Sequence, residues 1–163
     1  MKTSRGQAVI IDFTIAFFLF ILAWVFLTTQ FDNKYDETLT NNDLKIMRLK
    51  ADTALEYLVK NPGSPTNWEN LTINDLNRPG LAITDRKLSE IKLSSFSNLS
   101  SNYEEMKHKL GLEEFDFYFS FVGVDNVTAG LDAGSNANIV VLERVVQYKG
   151  GIGVATLKVY KLE

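Results

Sequence analysis

The chain has 163 residues, a formal net charge of −3 and no cysteine. The lack of cysteine excludes a disulfide framework and thiolate chemistry. Its 17 lysine and arginine residues are outnumbered by 20 acidic ones and form no basic stripe, which argues against a nucleic-acid partner.

The N-terminal segment is the most distinctive part of the sequence. Lys2 and Arg5 precede an apolar run over residues 8–27, and about 20 apolar residues are enough to cross a bilayer as a helix. The positive charges before the run predict a single-pass membrane protein with a cytoplasmic N-terminus and an extracellular C-terminal domain. The run contains one charge, Asp12. A carboxylate costs up to about 2.5–3.5 kcal/mol at mid-bilayer, so this position predicts a functional role.

Arg5, Gly6 and Gln7, followed by Ala8-Val9-Ile10-Ile11-Asp12-Phe13, resemble the class III signal peptide of archaeal type IV pilin-like proteins. The resemblance implies that a prepilin peptidase recognises Arg5 and cuts between Gly6 and Gln7. It also implies that the apolar run leaves the membrane and becomes the core of a helical filament of like or mixed subunits. Asp12 would be the sixth mature residue, whereas the family usually has an acid at the fifth. One residue turns a helix by about 100°, so whether Asp12 takes the usual assembly role stays open.

A helical pattern continues after the apolar run. Apolar residues recur there at steps of three and four, namely Leu44, Met47, Ala51, Ala54, Leu55 and Leu58. Pro62 and Gly63 predict where the helix stops, whereas a hinge within residues 32–43 is left open. With the resemblance, the predicted fold is α+β and type IV pilin-like. A long N-terminal helix, with its apolar half spanning the membrane or the filament core, packs on a small, mainly antiparallel β-sheet. The predicted parts are a leader over 1–6, a membrane or filament-core segment over 7–31, an amphipathic continuation over 32–61 and an extracellular head over 62–163.

Within the head, residues 62–82 read as a loop plugged by Trp68. Two short helices are predicted, one capped by Thr84 or Asp85 and running to about Ser95. The other begins at a capping box on Ser101 and ends at Gly111. Alternating phenylalanines predict a strand with one aromatic face; they are Phe115, Phe117, Phe119 and Phe121. A loop over 125–138 and strands over 139–148 and 154–162 complete a three-stranded sheet, with further strands if residues near Ile73 or Ala82 pair.

The sequence predicts no enzyme, cofactor, catalytic residue or metal site. The only histidine, His108, is interpreted as a surface residue, and Asp125, Asn126 and Asp132 lack the spacing of a calcium loop. Three Asn-X-Ser/Thr motifs are candidate glycosylation sites on an exported surface, at Asn70, Asn98 and Asn126.

Two functions follow from these observations. The first is a pilin-like subunit, interpreted as a minor one, that is cleaved after Gly6 and assembles through its apolar helix into a cell-surface filament that could mediate adhesion. The second is a membrane-anchored extracellular binding domain that never polymerises. Loss of residues 1–6 from the mature protein would separate the first from the second.

Overall fold

The computed structural model describes residues 4–134 and 138–161, with side chains over 13–29, 42–99, 101–134 and 138–161. The chain divides into two compact units, Met1–Asp43 and Leu44–Glu163. Helix α1, Ser4–Lys60, begins in the first unit and ends in the second.

The membrane-spanning part of the predicted fold is wrong. Over the described part of the chain, no helix has both the length and the apolar character needed to cross a membrane. The predicted transmembrane helix, the single-pass topology and the membrane-anchored alternative are corrected on this finding.

In the second unit, the amphipathic part of α1 forms one wall of the core. The predicted apolar stripe is confirmed, since Met47, Ala51, Ala54, Leu55 and Leu58 are almost fully buried. Leu44, at the start of the stripe, is only half-buried. The helix period therefore directs this face inward over about three turns, as the spacing predicts.

Helix α1 ends where the sequence predicts, and its last turn is completed by distant backbone. The carbonyl of Leu58 accepts from the amide of Leu81 at 2.8 Å, and the carbonyl of Val59 accepts from the amide of Arg86 at 2.9 Å. The carbonyl of Asn61 likewise accepts from Ala82 at 3.1 Å. Backbone from residues 81–86 thus satisfies carbonyls that a helix end leaves without intrahelical partners.

The segment after α1 is a closed loop held by a buried tryptophan. Strand β1, Gly63–Ser64, pairs antiparallel with β2, Arg78–Pro79. Between them a short 3₁₀ helix, Trp68–Asn70, carries Trp68, which is 1% exposed and donates from Nε1 to the carbonyl oxygen of Gly80 at 2.8 Å. The prediction that Trp68 is a core plug is confirmed.

A buried lysine fastens the same loop. Lys92 Nζ donates to the carbonyl oxygens of Pro62 at 2.5 Å and Thr66 at 2.6 Å, and it lies 3.8 Å from Glu69 Oε2. Burial lowers the pKa of Lys92, while the neighbouring Glu69 opposes that effect. The ammonium group therefore has partners for its donors, as a buried charge requires.

Two helices follow, and their starts differ from the predicted ones. Residues 82–88 form a hairpin of β3, Ala82–Thr84, and β4, Lys87–Leu88, so Thr84 and Asp85 cap no helix. Helix α2, Glu90–Asn98, is capped by Ser89. A second 3₁₀ helix, Leu99–Asn102, leads into α3, Tyr103–Leu110, whose N-cap Asn102 makes no side-chain cap bond. The predicted capping box is therefore wrong, whereas Gly111 ends α3 with φ 76° as predicted.

The sheet is larger than the predicted three strands. Its described strands lie in the order β3-β4-β7-β8-β5-β6. The remaining strands are β5, Asp116–Val122; β6, Asn126–Gly130; β7, Asn138–Tyr148; and β8, Gly151–Lys161. Strand β6 lies within the predicted loop, and the contact between β4 and β7 is parallel. Of the two places where the sequence predicts that a further strand is possible, Ala82 does lie in a strand, where it is opposite Leu88 in the β3–β4 hairpin.

The aromatic face of β5 is confirmed. Phe117, Phe119 and Phe121 of β5, and Phe115 directly before the strand, are each at most 4% exposed. Phe119 meets Phe96 of α2 edge to face at 5.4 Å between ring centroids. Since side chains alternate across a strand, this single element supplies much of the core of the second unit.

Candidate functional site

The most unusual surface of the described chain is in the first unit. Every residue from 13 to 29 has an exposed side chain, and none of them is ionisable. Twelve are large and apolar, with exposures of 42–70%: Phe13, Ile15, Phe17, Phe18, Leu19, Phe20, Ile21, Leu22, Trp24, Val25, Phe26 and Leu27. We call residues 13–27 the apolar helix surface.

The apolar helix surface extends around the whole circumference of the helix. Successive residues are about 100° apart, so fifteen consecutive positions sample every direction. A helix that is apolar all round is found buried in proteins, and exposed contiguous apolar surface marks an interaction site. This surface therefore requires cover from several sides.

The side chains on this surface are already arranged against one another. Phe13 and Phe17 stack at 6.2 Å between ring centroids, and Phe20 and Trp24 lie 6.3 Å apart. Both pairs have the i, i+4 spacing at which helical side chains meet. The aromatic rings thus form two ridges that a partner would meet as preformed features.

The polar groups at the end of the segment find partners within the helix. The hydroxyl of Thr28 donates to the carbonyl oxygen of Val25 at 2.9 Å, and that of Thr29 donates to the carbonyl oxygen of Phe26 at 2.9 Å. Hydroxyls that bond back to the preceding turn can enter an apolar contact without losing their partners.

The predicted processing and assembly residues precede this surface. Helix α1 includes Arg5, Gly6, Gln7 and Asp12, but the side chains of these residues are outside the described ones. Cleavage between Gly6 and Gln7 and an assembly role for Asp12 stay predictions.

The three candidate glycosylation residues lie on three different elements. Asn70 ends the first 3₁₀ helix, Asn98 ends α2 and Asn126 begins β6. All three are exposed. Exposure is what a transferred glycan requires, and glycosylation of the three stays a prediction.

The remaining candidates have structural partners. Asp125 Oδ2 accepts from Tyr148 and from Lys149, each at 2.8 Å, and Lys149 holds the pKa of Asp125 below its usual range. Asp132 lies 3.5 Å from Lys158, and His108 is exposed on α3. Within the residues searched, no group of histidine, aspartate and glutamate could hold a metal ion.

Comparison with known proteins adds no identification: no family model, curated protein or solved structure matches the chain.

Proposed function

We propose that the chain is a pilin-like filament subunit that is cut between Gly6 and Gln7 by a prepilin peptidase and assembles with further subunits through α1. The observation that carries the proposal is the apolar helix surface, which is exposed on all sides. The likeness of residues 5–13 to a class III signal peptide supports the same assignment.

The number of neighbours that the surface needs favours a filament over a dimer. A two-fold dimer joins one patch to its own copy, whereas a heterologous contact uses two different patches and repeats without closing. A helix with apolar side chains in every direction leaves most of them exposed in a dimer. In a filament, copies on several sides cover them.

The energies point the same way. Burying one large apolar side chain contributes about 1.5–3 kcal/mol, so one neighbour that covers four of them supplies about 6–12 kcal/mol. Association costs about 4–15 kcal/mol in lost freedom. A single contact is therefore marginal, whereas three neighbours that together cover all twelve side chains leave a clear surplus.

A matched pair of variants tests this role. Ile15 and Ile91 are both helical and exposed, at 55% and 64%, but only Ile15 lies on the apolar helix surface. We expect Ile15→Asp to abolish filaments in negative-stain electron microscopy and sedimentation, because it places a carboxylate in an apolar contact. Ile91→Asp should assemble like the unmodified chain. Equal assembly by both variants would refute a role for α1 in polymerisation.

The processing step has its own measurement. The intact mass of protein isolated from its native cell should correspond to a chain that begins at Gln7, lacking the six leader residues. A mass that begins at Met1 would contradict the peptidase assignment, even if the protein self-associates.

A further inference from the structure

A second interaction surface lies in the second unit, along one edge of the sheet. Strand β4 pairs with β7 only at Lys87 and Gln147. Within the described ranges no strand pairs with this side of β7 over residues 138–146. The 11-residue strand β7 is therefore an open edge along most of its length, and we call residues 139–145 the β7 edge.

The direction of the unpaired backbone groups follows from one hydrogen bond. The amide of Gln147 donates to the carbonyl oxygen of Arg86 at 2.7 Å. The backbone N–H and C=O groups of residue 147 therefore point away from β8. In a strand, backbone groups alternate between the two sides. The amides and carbonyls of Ile139, Val141, Glu143 and Val145 therefore point outward along the β7 edge.

A groove beside this edge has space for the side chains of an added strand. It has a volume of about 570 Å³ and lies between α1 and β7; its lining residues are Lys45, Arg48, Leu49, Asp52, Leu142 and Arg144. Leu49 is 68% exposed, although it lies in a groove that faces the core side of the sheet. An added strand would direct every second side chain into this groove.

The charges in the groove indicate what those side chains should be. Arg144 is paired with Asp52 at 2.5 Å and with Glu56 at 2.6 Å. Lys45 and Arg48, in contrast, have no acidic partner among the described side chains. The positive charges of Lys45 and Arg48, beside the apolar lining residues of the groove, favour acidic groups on the incoming segment.

On the opposite face, the added strand would lie beside different neighbours. Ile139, Val141 and Val145 are 41–62% exposed there, with Glu143 among them. Apolar side chains fit this face, and acidic ones would meet Glu143. The occupant therefore needs acidic and apolar residues in alternation, with a period of two.

We propose that the β7 edge binds an extended peptide segment of another protein, with acidic side chains directed toward Lys45 and Arg48 and apolar side chains on the opposite face. The segment forms an additional strand on the same side of β7 as β4, alongside residues 139–145. Its main-chain hydrogen bonds give affinity and its side chains give specificity. This inference does not rest on the filament proposal, because it uses only residues of the second unit.

The probe is a synthetic nine-residue peptide that alternates valine and glutamate, with the valine–lysine peptide as its control. We expect the glutamate peptide to bind the full-length chain at least tenfold more tightly in fluorescence anisotropy. Replacing Lys45 and Arg48 together by glutamate should remove that preference, whereas the matched Lys109→Glu change on α3 should leave it intact. Equal binding of both peptides, or an unchanged preference in the double variant, would overturn the proposal.

Two further measurements test strand addition itself. Bound peptide should protect the amides of residues 139, 141, 143 and 145 from hydrogen exchange. A peptide N-methylated at alternate positions should lose at least tenfold in affinity in one of its two methylation patterns, because one pattern removes the donors that face β7. This test leaves the fold of the protein untouched. Binding without this protection, binding that tolerates both methylation patterns, or pairing of β7 with a second copy instead of the peptide would each count against the proposal.

Discussion

Glu56 is the centre of an ion-pair cluster that links α1 to β7. We expect removal of the Glu56 charge to cause a pH-dependent loss of stability. Its Oε1 accepts from Arg144 Nε at 2.6 Å, and its Oε2 lies 2.5 Å from Lys60 Nζ. Lys60, followed by Arg144, lowers the pKa of Glu56 from 4.5 to about 2. The perturbation is Glu56→Gln, which keeps the size of the side chain and removes its charge.

The magnitude follows from this shift. A full shift from 4.5 to about 2 corresponds to about 3 kcal/mol at 1.36 kcal/mol per unit. The Glu56 side chain is 25% exposed, and solvent screens such pairs. We therefore expect a loss of about 1–2 kcal/mol in the free energy of unfolding at pH 7.

The sign of the pH dependence is determined by the direction of the shift. Because the folded pKa lies below the unfolded one, the charge of Glu56 stabilises the fold above about pH 4.5, and this contribution is lost as the pH falls toward 2. The gap between the unmodified chain and Glu56→Gln should accordingly close between about pH 5 and pH 2.

Urea unfolding measures this gap. Trp68 is buried in the second unit. Its fluorescence reports unfolding when Trp24 is replaced by phenylalanine in the unmodified protein and in the Glu56→Gln variant alike. Glu113→Gln is the control, since Glu113 is 47% exposed and 3.9 Å from Lys50, and it should cost less than about 0.5 kcal/mol. A loss in Glu56→Gln that is equally large at pH 2 and pH 7 would refute the electrostatic explanation.

Three further predictions concern the leader, the acid in the apolar run and a loop glycine. Gly6→Val should block removal of residues 1–6, as read from the intact mass, because the peptidase needs a small residue before the cut; normal maturation would contradict the family resemblance. Asp12→Ala should reduce filament yield in electron microscopy, and normal filaments would exclude this acid from the assembly contact. Gly63→Ala should cost about 2–4 kcal/mol in urea unfolding, because φ is 93° and a Cβ would overlap the Trp68 ring. Gly111→Ala is its control: with φ 76° and open space around it, it should cost about 1–2 kcal/mol, and equal losses would exclude the Trp68 overlap as the cause.

The sequence predicts the core of the second unit well because its signals are strong and local. The stripe from Met47 to Leu58 follows the helix period, and Phe117, Phe119 and Phe121 follow the strand period. Both patterns put large apolar residues on one side, and burial of that side dominates the folding energy. The stop after Lys60 is equally local, because Pro62 and Gly63 cannot continue a helix.

The missed elements lack such signals. Strand β6, with the sequence Asn-Val-Thr-Ala-Gly, contains a single valine and no aromatic residue, and it is held by its ladder with β5. The hairpin of β3 and β4 turns at Arg86, whose φ is 55°, and an arginine gives no warning of a left-handed turn. Tertiary contacts decide both cases.

The functional surfaces divide in the same way. The apolar run is plain in the sequence, but the membrane span predicted from it is not found among the described helices. The β7 edge could not be foreseen, because an open edge is defined by where β4 stops. Only the strand order shows that.

The completion of α1 by the amides of Leu81, Ala82 and Arg86 makes the end of the helix a joint property of two distant stretches of chain. A fragment cut at residue 60 would lack those donors, so its final turn would unravel in water. Deletions between residues 61 and 80 would likewise destabilise the C-terminal turn of α1 first. Any shortened version meant to display α1 must therefore retain the chain through residue 86.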